Sequence, residues 1–131
     1  MVLFAAILDR PNGSLEVASA GHPGFLLRSG EDRFEEIKAG GIPLGIQPSG
    51  YRSTTLEVAS GDVLLVASDG AWECRNPEGE ILGLDRLLET AVAGRDRSAE
   101  SQVADLFDFV HRFADGQPLD DDCTILVVRV D

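Results

Sequence analysis

The sequence predicts an α+β domain in which an antiparallel sheet comes first and helices pack on it afterwards. Three observations lead there. Short apolar runs rich in β-branched residues, divided by Gly-, Asn- and Asp-bearing turns, fill the first half; apolar residues recur at helical spacing in the second half; and one further apolar run, Ile125–Val130, closes the chain. With 131 residues the chain is long enough to bury a core as one domain without disulfide or metal staples.

Val2–Asp9 and Ser14–Ala20 flank Pro11-Asn12-Gly13 and read as a hairpin, the Asn-Gly step supplying the positive φ of a tight turn. The apolar opening Met1–Leu8 has no basic leader and meets Asp9 too early for a signal peptide or a membrane span. It therefore reads as a core strand, and a chain that starts directly in one is expected to lack an upstream portion. Gly21-His22-Pro23-Gly24 breaks the pattern, after which Phe25–Ser29 and Phe34–Ile37 pair around Gly30-Glu31-Asp32. Beyond the turn-rich Gly40–Gly45, Tyr51–Val58 alternates polar and apolar residues, and Ser60-Gly61-Asp62 turns the chain into Val63–Ser68. Leu84–Ala93 is a helix closed by Gly94. Ser98 caps a longer helix in which Val103, Leu106, Phe107, Val110 and Phe113 share one face. No repeat, linker or low-complexity stretch divides residues 1–131, so they read as one domain or one large piece of a domain.

The formal net charge of −12, with scattered Lys and Arg, argues for cations and against nucleic acid as a ligand. Cys74 and Cys123 lie far apart, each in or beside an apolar segment, and neither has Cys-x-x-Cys or Cys/His spacing. They read as buried, reduced thiols of a cytoplasmic protein and not as zinc ligands. No apolar run has the length of a membrane span.

Two acidic turns carry the functional signal: Ser68-Asp69-Gly70 follows one buried run, and Asp120-Asp121-Asp122-Cys123-Thr124 precedes another. If those runs pair antiparallel, the exit of the first lies beside the entrance of the second, with the strands about 4.8 Å apart. Carboxylates so placed repel unless a cation lies between them, and oxygen-only ligation selects Mg²⁺ or Mn²⁺. The same residues also suit ordinary turns, because aspartate bonds its own backbone. Spacing leaves both readings open. His22 reads as a structural side chain bonding nearby backbone, His111 as a helix-surface residue and Trp72 as a packing anchor. Gly40–Gly45 has no following Gly-Lys-Ser/Thr, and Ser68 lacks the glycine pattern and histidine partner of a nucleophile elbow.

Taken in order, Ala20-Gly21-His22-Pro23, Pro43-Leu44-Gly45, Ser60-Gly61-Asp62, Ser68-Asp69-Gly70-Ala71-Trp72-Glu73, Asn76-Pro77-Glu78-Gly79-Glu80 and Asp121-Asp122-Cys123-Thr124 span nearly the whole chain. That ordered set resembles the metal-dependent type 2C serine/threonine protein phosphatases of the sporulation stage II protein E branch. The resemblance implies a layered α-β-β-α sandwich of antiparallel sheets, here its C-terminal two-thirds. It implies that Asp69 and Asp121 bind metal and act catalytically through it, that Gly70 permits the tight turn, and that Asp122 supports the ligands from the outer coordination sphere. It also implies two Mn²⁺ or Mg²⁺ ions whose bridging water attacks a phosphoserine or phosphothreonine. The implied partner is a phosphorylated regulatory protein of the anti-sigma-factor-antagonist type, in a partner-switching circuit.

The family's first metal motif, an aspartate followed closely by Gly-His-Gly, is not in the sequence. With it would come a bridging aspartate and helices that cover one sheet. The departure leaves three readings: a truncated chain, a regulator that has lost catalysis, or a half-domain completed by another chain. The apolar sheet face left open is expected to drive homodimerisation through the N-terminal strand region.

Overall fold

The strands sort into two antiparallel sheets, described over all of residues 1–131 in the computed structural model. The first sheet has the order β1-β2-β5, formed by β1 (Leu3–Asp9), β2 (Ser14–Ala20) and β5 (Thr54–Glu57). The second has the order β4-β3-β6-β7, formed by β4 (Glu35–Glu36), β3 (Phe25–Leu27), β6 (Val63–Ala67) and β7 (Ile125–Arg129). Helices α1 (Leu84–Ala93) and α2 (Ala99–Ala114) cover the outer face of the second sheet.

The β1–β2 hairpin forms as its sequence predicts, but not as a two-residue turn. Asp9 pairs with Ser14, leaving Arg10–Gly13 as the loop, and only Gly13 takes a positive φ, of 60°. Asn12 instead donates from its backbone N–H (3.2 Å) and its side-chain amide (2.7 Å) to the Asp9 carboxylate. This side-chain bonding is how Asn and Asp stabilise longer turns.

β6 is a near-continuous apolar run because both of its faces are buried. Val63, Leu65 and Ala67 join Leu87, Ala91, Leu106 and Val110 in the core between the second sheet and the helices. Leu64 points the other way and meets Leu15 and Val17 of β2 between the two sheets. Helix α2 begins where expected, with Ser98 Oγ accepting from the Ser101 N–H at 3.2 Å. No helix is long and apolar enough to cross a membrane.

Three predicted strands are shorter than expected. Phe25–Ser29 ends at Leu27 because the Ser29 N–H leaves the ladder and donates to the Asp62 carboxylate at 2.7 Å. Asp62, only 2% exposed, also accepts from the Ala59 N–H and from Arg28 Nη1, each at 3.1 Å, so its buried charge is paired and bonded. Phe34 and Ile37 lie outside the two-residue β4 yet are buried, in different cores. The third, Tyr51–Val58, is paired only over Thr54–Glu57.

The reading of Met1–Leu8 as a core strand is corrected. β1 is an edge strand that turns Phe4 and Leu8 inward, while Leu3 and Ile7 on its other face are 47% and 68% exposed. The layers present are sheet, sheet and helix, and nothing in the chain lies over that outer face. Leu65→Ala is therefore expected to lower the unfolding free energy by about 2–5 kcal/mol, and Ile7→Thr by about 0.5 kcal/mol or less. Denaturant titration of both variants checks this; equal losses would mean that the Ile7 face is covered.

Candidate metal centre

β6 and β7 pair antiparallel from Val63↔Arg129 to Ala67↔Ile125, so the chain leaves β6 beside the point where it enters β7. Both acidic turns thus lie at one end of the same strand pair, as the sequence predicts. Ser68 continues β6 in extended conformation (φ −77°, ψ 158°), and Asp69–Ala71 form a single 3-10 turn. The Ser68 N–H donates to the Thr124 carbonyl at 2.9 Å. Ser68 Oγ donates to the Asp122 carbonyl at 2.9 Å and accepts from the Thr124 N–H at 2.8 Å.

Gly70 serves a different purpose from the one expected. Its φ is not positive, so the turn itself does not demand glycine. A Cβ at this position would lie 2.4 Å from the Asp122 carbonyl oxygen and 3.0 Å from that of Asp121. The second acidic turn rests directly on the Gly70 backbone, and only the missing side chain permits that approach. Asp122 makes its contacts through the main chain: its carbonyl meets Ser68, and its N–H donates to Asp121 Oδ1 at 2.7 Å.

Asp69 and Asp121 are both exposed. Asp69 shares a cleft of about 330 Å³ with His22, Ser68, Trp72 and Glu73. Asp121 opens on an adjoining cleft of about 300 Å³ with Gly70, Glu73 and Asp120. The strand pairing brings the turns together, and Glu73 borders both clefts. A larger hollow of about 640 Å³ lies between β4 and α1 and contains none of these residues.

The donor chemistry fits a hard divalent cation, since both candidate ligands offer carboxylate oxygen. The ligand count is short of a closed shell: no group of three or more His, Cys, Asp or Glu side chains converges in the chain. Asp69 and Asp121 each offer carboxylate oxygen to one of two adjoining clefts.

Other residues fall largely as their sequence context predicts. His22 Nδ1 donates to the Pro23 carbonyl at 2.9 Å, which fixes the proton on that nitrogen. Its backbone is held by Ser19 Oγ, which donates to the His22 carbonyl at 2.6 Å and accepts from the His22 N–H at 3.2 Å. His111 is exposed and its ring stacks on Phe107, and Trp72 packs against the helix-side core. Cys74 is buried, but Cys123 is only half-buried because its turn lies at the surface; both are free thiols. Burial pushes the Cys74 and Cys123 thiols up, and the nearby Cys74 adds to the rise at Cys123. Two residues of the site carry no metal-site role in the sequence reading: Glu73, which enters it only within the family motif, and Ser68, which it weighs only as a nucleophile. The signal for Glu73 is an acid four residues beyond Asp69; for Ser68 it is a hydroxyl at the exit of a buried strand.

The family profile of Stage II sporulation protein E (SpoIIE) matches residues 1–131. The chain belongs to the SpoIIE family. Phosphoserine phosphatase RsbU of Bacillus subtilis is 32% identical over 133 residues, covering 98% of this chain and 38% of that protein. Among solved structures, the SiaA-PP2C domain of Pseudomonas aeruginosa superposes with a TM-score of 0.83 at 21% identity, covering 98% of this chain and 51% of that one. The phosphatase domain of the cell fate determinant SpoIIE from B. subtilis, presoaked with Mn, gives a TM-score of 0.73 at 23% identity, covering 99% and 56%. The chain thus spans less than two-thirds of the length of each of these relatives. Their fold is that of type 2C phosphatases, and the two sheets and helical layer seen here correspond to it.

Gly70→Ala is expected to destabilise the chain by about 1–3 kcal/mol, since the added methyl must displace the Asp121–Asp122 backbone. Chemical unfolding measures this; an unchanged midpoint would show that the turns have room to part.

Proposed function

We propose that this chain belongs to a divalent-metal-dependent phosphatase that hydrolyses phosphoserine or phosphothreonine on a regulatory protein. The observation that carries this reading is the juxtaposition of the Asp69 and Asp121 turns at one end of β6 and β7, in a chain of the SpoIIE family. Asp69 and Asp121 would hold Mn²⁺ or Mg²⁺. When bound, such ions lower the pKa of a coordinated water and neutralise phosphate charge.

The chain's own residues contribute orientation. The Asp122 N–H bonds Asp121 Oδ1, which fixes that carboxylate and leaves Oδ2 free for ligation. Gly70 lets the two turns approach, and Glu73 adds negative charge where the clefts meet. The name of the relative RsbU, a phosphoserine phosphatase, supports phosphoserine as substrate. By family resemblance the phosphorylated partner is of the anti-sigma-factor-antagonist type, in the cytoplasm, where reduced thiols such as Cys74 and Cys123 persist.

One observation favours a second reading, a phosphatase-like module that binds partners without catalysis: two carboxylates with no third converging ligand make a weak dinuclear site. Hydrolysis of p-nitrophenyl phosphate and of a phosphoserine peptide, with and without Mn²⁺, separates the two. Mn²⁺-dependent turnover that falls to background in Asp69→Ala and in Asp121→Ala is the expected result. Turnover that survives both substitutions sinks the metal assignment, and Mn²⁺ binding without turnover favours the binding module. The uncovered Leu3 and Ile7 face further supports a homodimer through the N-terminal strand region. Sedimentation should then show concentration-dependent association, and a monomer at all concentrations would count against it.

A further inference from the structure

We infer that Ser68 is a positioning residue that sets the affinity of the acidic turns for a divalent cation, by holding the Asp121 turn against Asp69. The inference rests on the metal reading above. A serine just ahead of a helical turn ordinarily caps it, its oxygen accepting from an N–H two or three residues on. Ser68 stands at that place before the Asp69–Ala71 turn, yet its side chain makes no capping bond. The hydroxyl is turned across the strand pair to residues 54 and 56 positions further along the chain.

The reason lies in the Ser68 carbonyl. It accepts from the Ala71 N–H at 3.0 Å, which closes the 3-10 turn. The Thr124 N–H finds its partner in Ser68 Oγ instead, at 2.8 Å. The hydroxyl thus allows the backbone to begin its turn while the pairing with the β7 side continues for one more residue. Its proton goes to the Asp122 carbonyl at 2.9 Å, so the donor and one lone pair are both engaged. From there the Asp122 N–H reaches Asp121 Oδ1 at 2.7 Å. A continuous series of bonds therefore runs from the residue next to Asp69 to the carboxylate of Asp121.

These bonds lie at the exposed end of the strand pair, where water can replace them, so removing the hydroxyl should loosen the turns and spare the fold. The test uses Ser68→Ala and Ser68→Thr in the 131-residue chain, with two readouts from backbone-amide NMR. Without metal, Ser68→Ala should accelerate hydrogen exchange of the Thr124 amide about two- to tenfold and leave the Val127 amide unchanged. With Mn²⁺, the concentration that half-broadens the Asp121 amide signal should rise about tenfold. Ser68→Thr should restore both, because the extended backbone at this position accommodates a β-branched side chain that keeps the hydroxyl. Unchanged Mn²⁺ affinity in Ser68→Ala, or failure of threonine to restore it, overturns the inference.

Asp69→Asn and Asp121→Asn separate this from the reading beneath it. If the unsubstituted chain does not bind Mn²⁺, or if either asparagine variant binds as well as the parent, the metal assignment falls and the role of Ser68 falls with it. If both asparagine variants lose Mn²⁺ and Ser68→Ala does not, only the role of Ser68 is refuted.

Discussion

The antiparallel ladder between β6 and β7 is the constraint on which the rest depends. It joins two stretches of chain separated by both helices, and its register decides which residues meet at either end. At one end the Val130 N–H donates to the Asp62 carbonyl at 2.9 Å and the Gly61 N–H to the Val130 carbonyl at 2.8 Å. At the other, Ser68 bonds Asp122 and Thr124. A slip of one residue would turn every β7 side chain to the opposite face, taking Ile125 and Val127 out of the helix-side core and putting Leu126 and Val128 in their place. The ladder is thus held in register by packing along its length and by hydrogen bonds at both ends.

Burial follows from the same strand pair. Because β6 has a sheet on one side and helices on the other, it can be apolar at nearly every position, and its neighbours divide their side chains between two cores. The helices are in turn anchored to β7: Arg129 reaches from the strand to the carbonyls of Arg95 and Arg97 in the segment between α1 and α2. With several N–H donors, one arginine can bond both loop carbonyls, so the helix connection is tied to the far end of the strand that leads out of the acidic turn.

Much of this was legible in the sequence, and what was not has identifiable causes. The positions of the strands and helices follow from periodicity and capping, as Ser98 and Gly94 illustrate. The pairing of the two acidic turns follows from one buried run leading into Asp69 and another leading out of the Asp121 turn. The exposure of Leu3 and Ile7 was not legible in the strand's own pattern, because an apolar strand reads alike whether one face is covered or two; it followed only from the absence of the family's first metal motif and the helices that come with it. The requirement for Gly70 came from a backbone more than fifty residues away in sequence, and so did the bonding of Ser68. Local pattern carries no record of contacts of that kind, and side chains that bond distant backbone resemble ordinary turn residues until the strands are paired.

The uncovered outer face of β1 has a consequence for how the molecules behave among themselves. β1 is the last strand of its sheet, so a row of unpaired backbone groups runs beside the exposed Leu3 and Ile7, the arrangement by which edge strands recruit one another. Opposing it is the net charge of −12, which makes neighbouring molecules repel. That repulsion reaches only about 8 Å in physiological salt and about 3 Å at 1 M. The colloidal stability of the chain therefore rests on ionic strength: dilute buffer keeps the sticky edges apart, and concentrated salt removes the barrier while leaving their attraction intact.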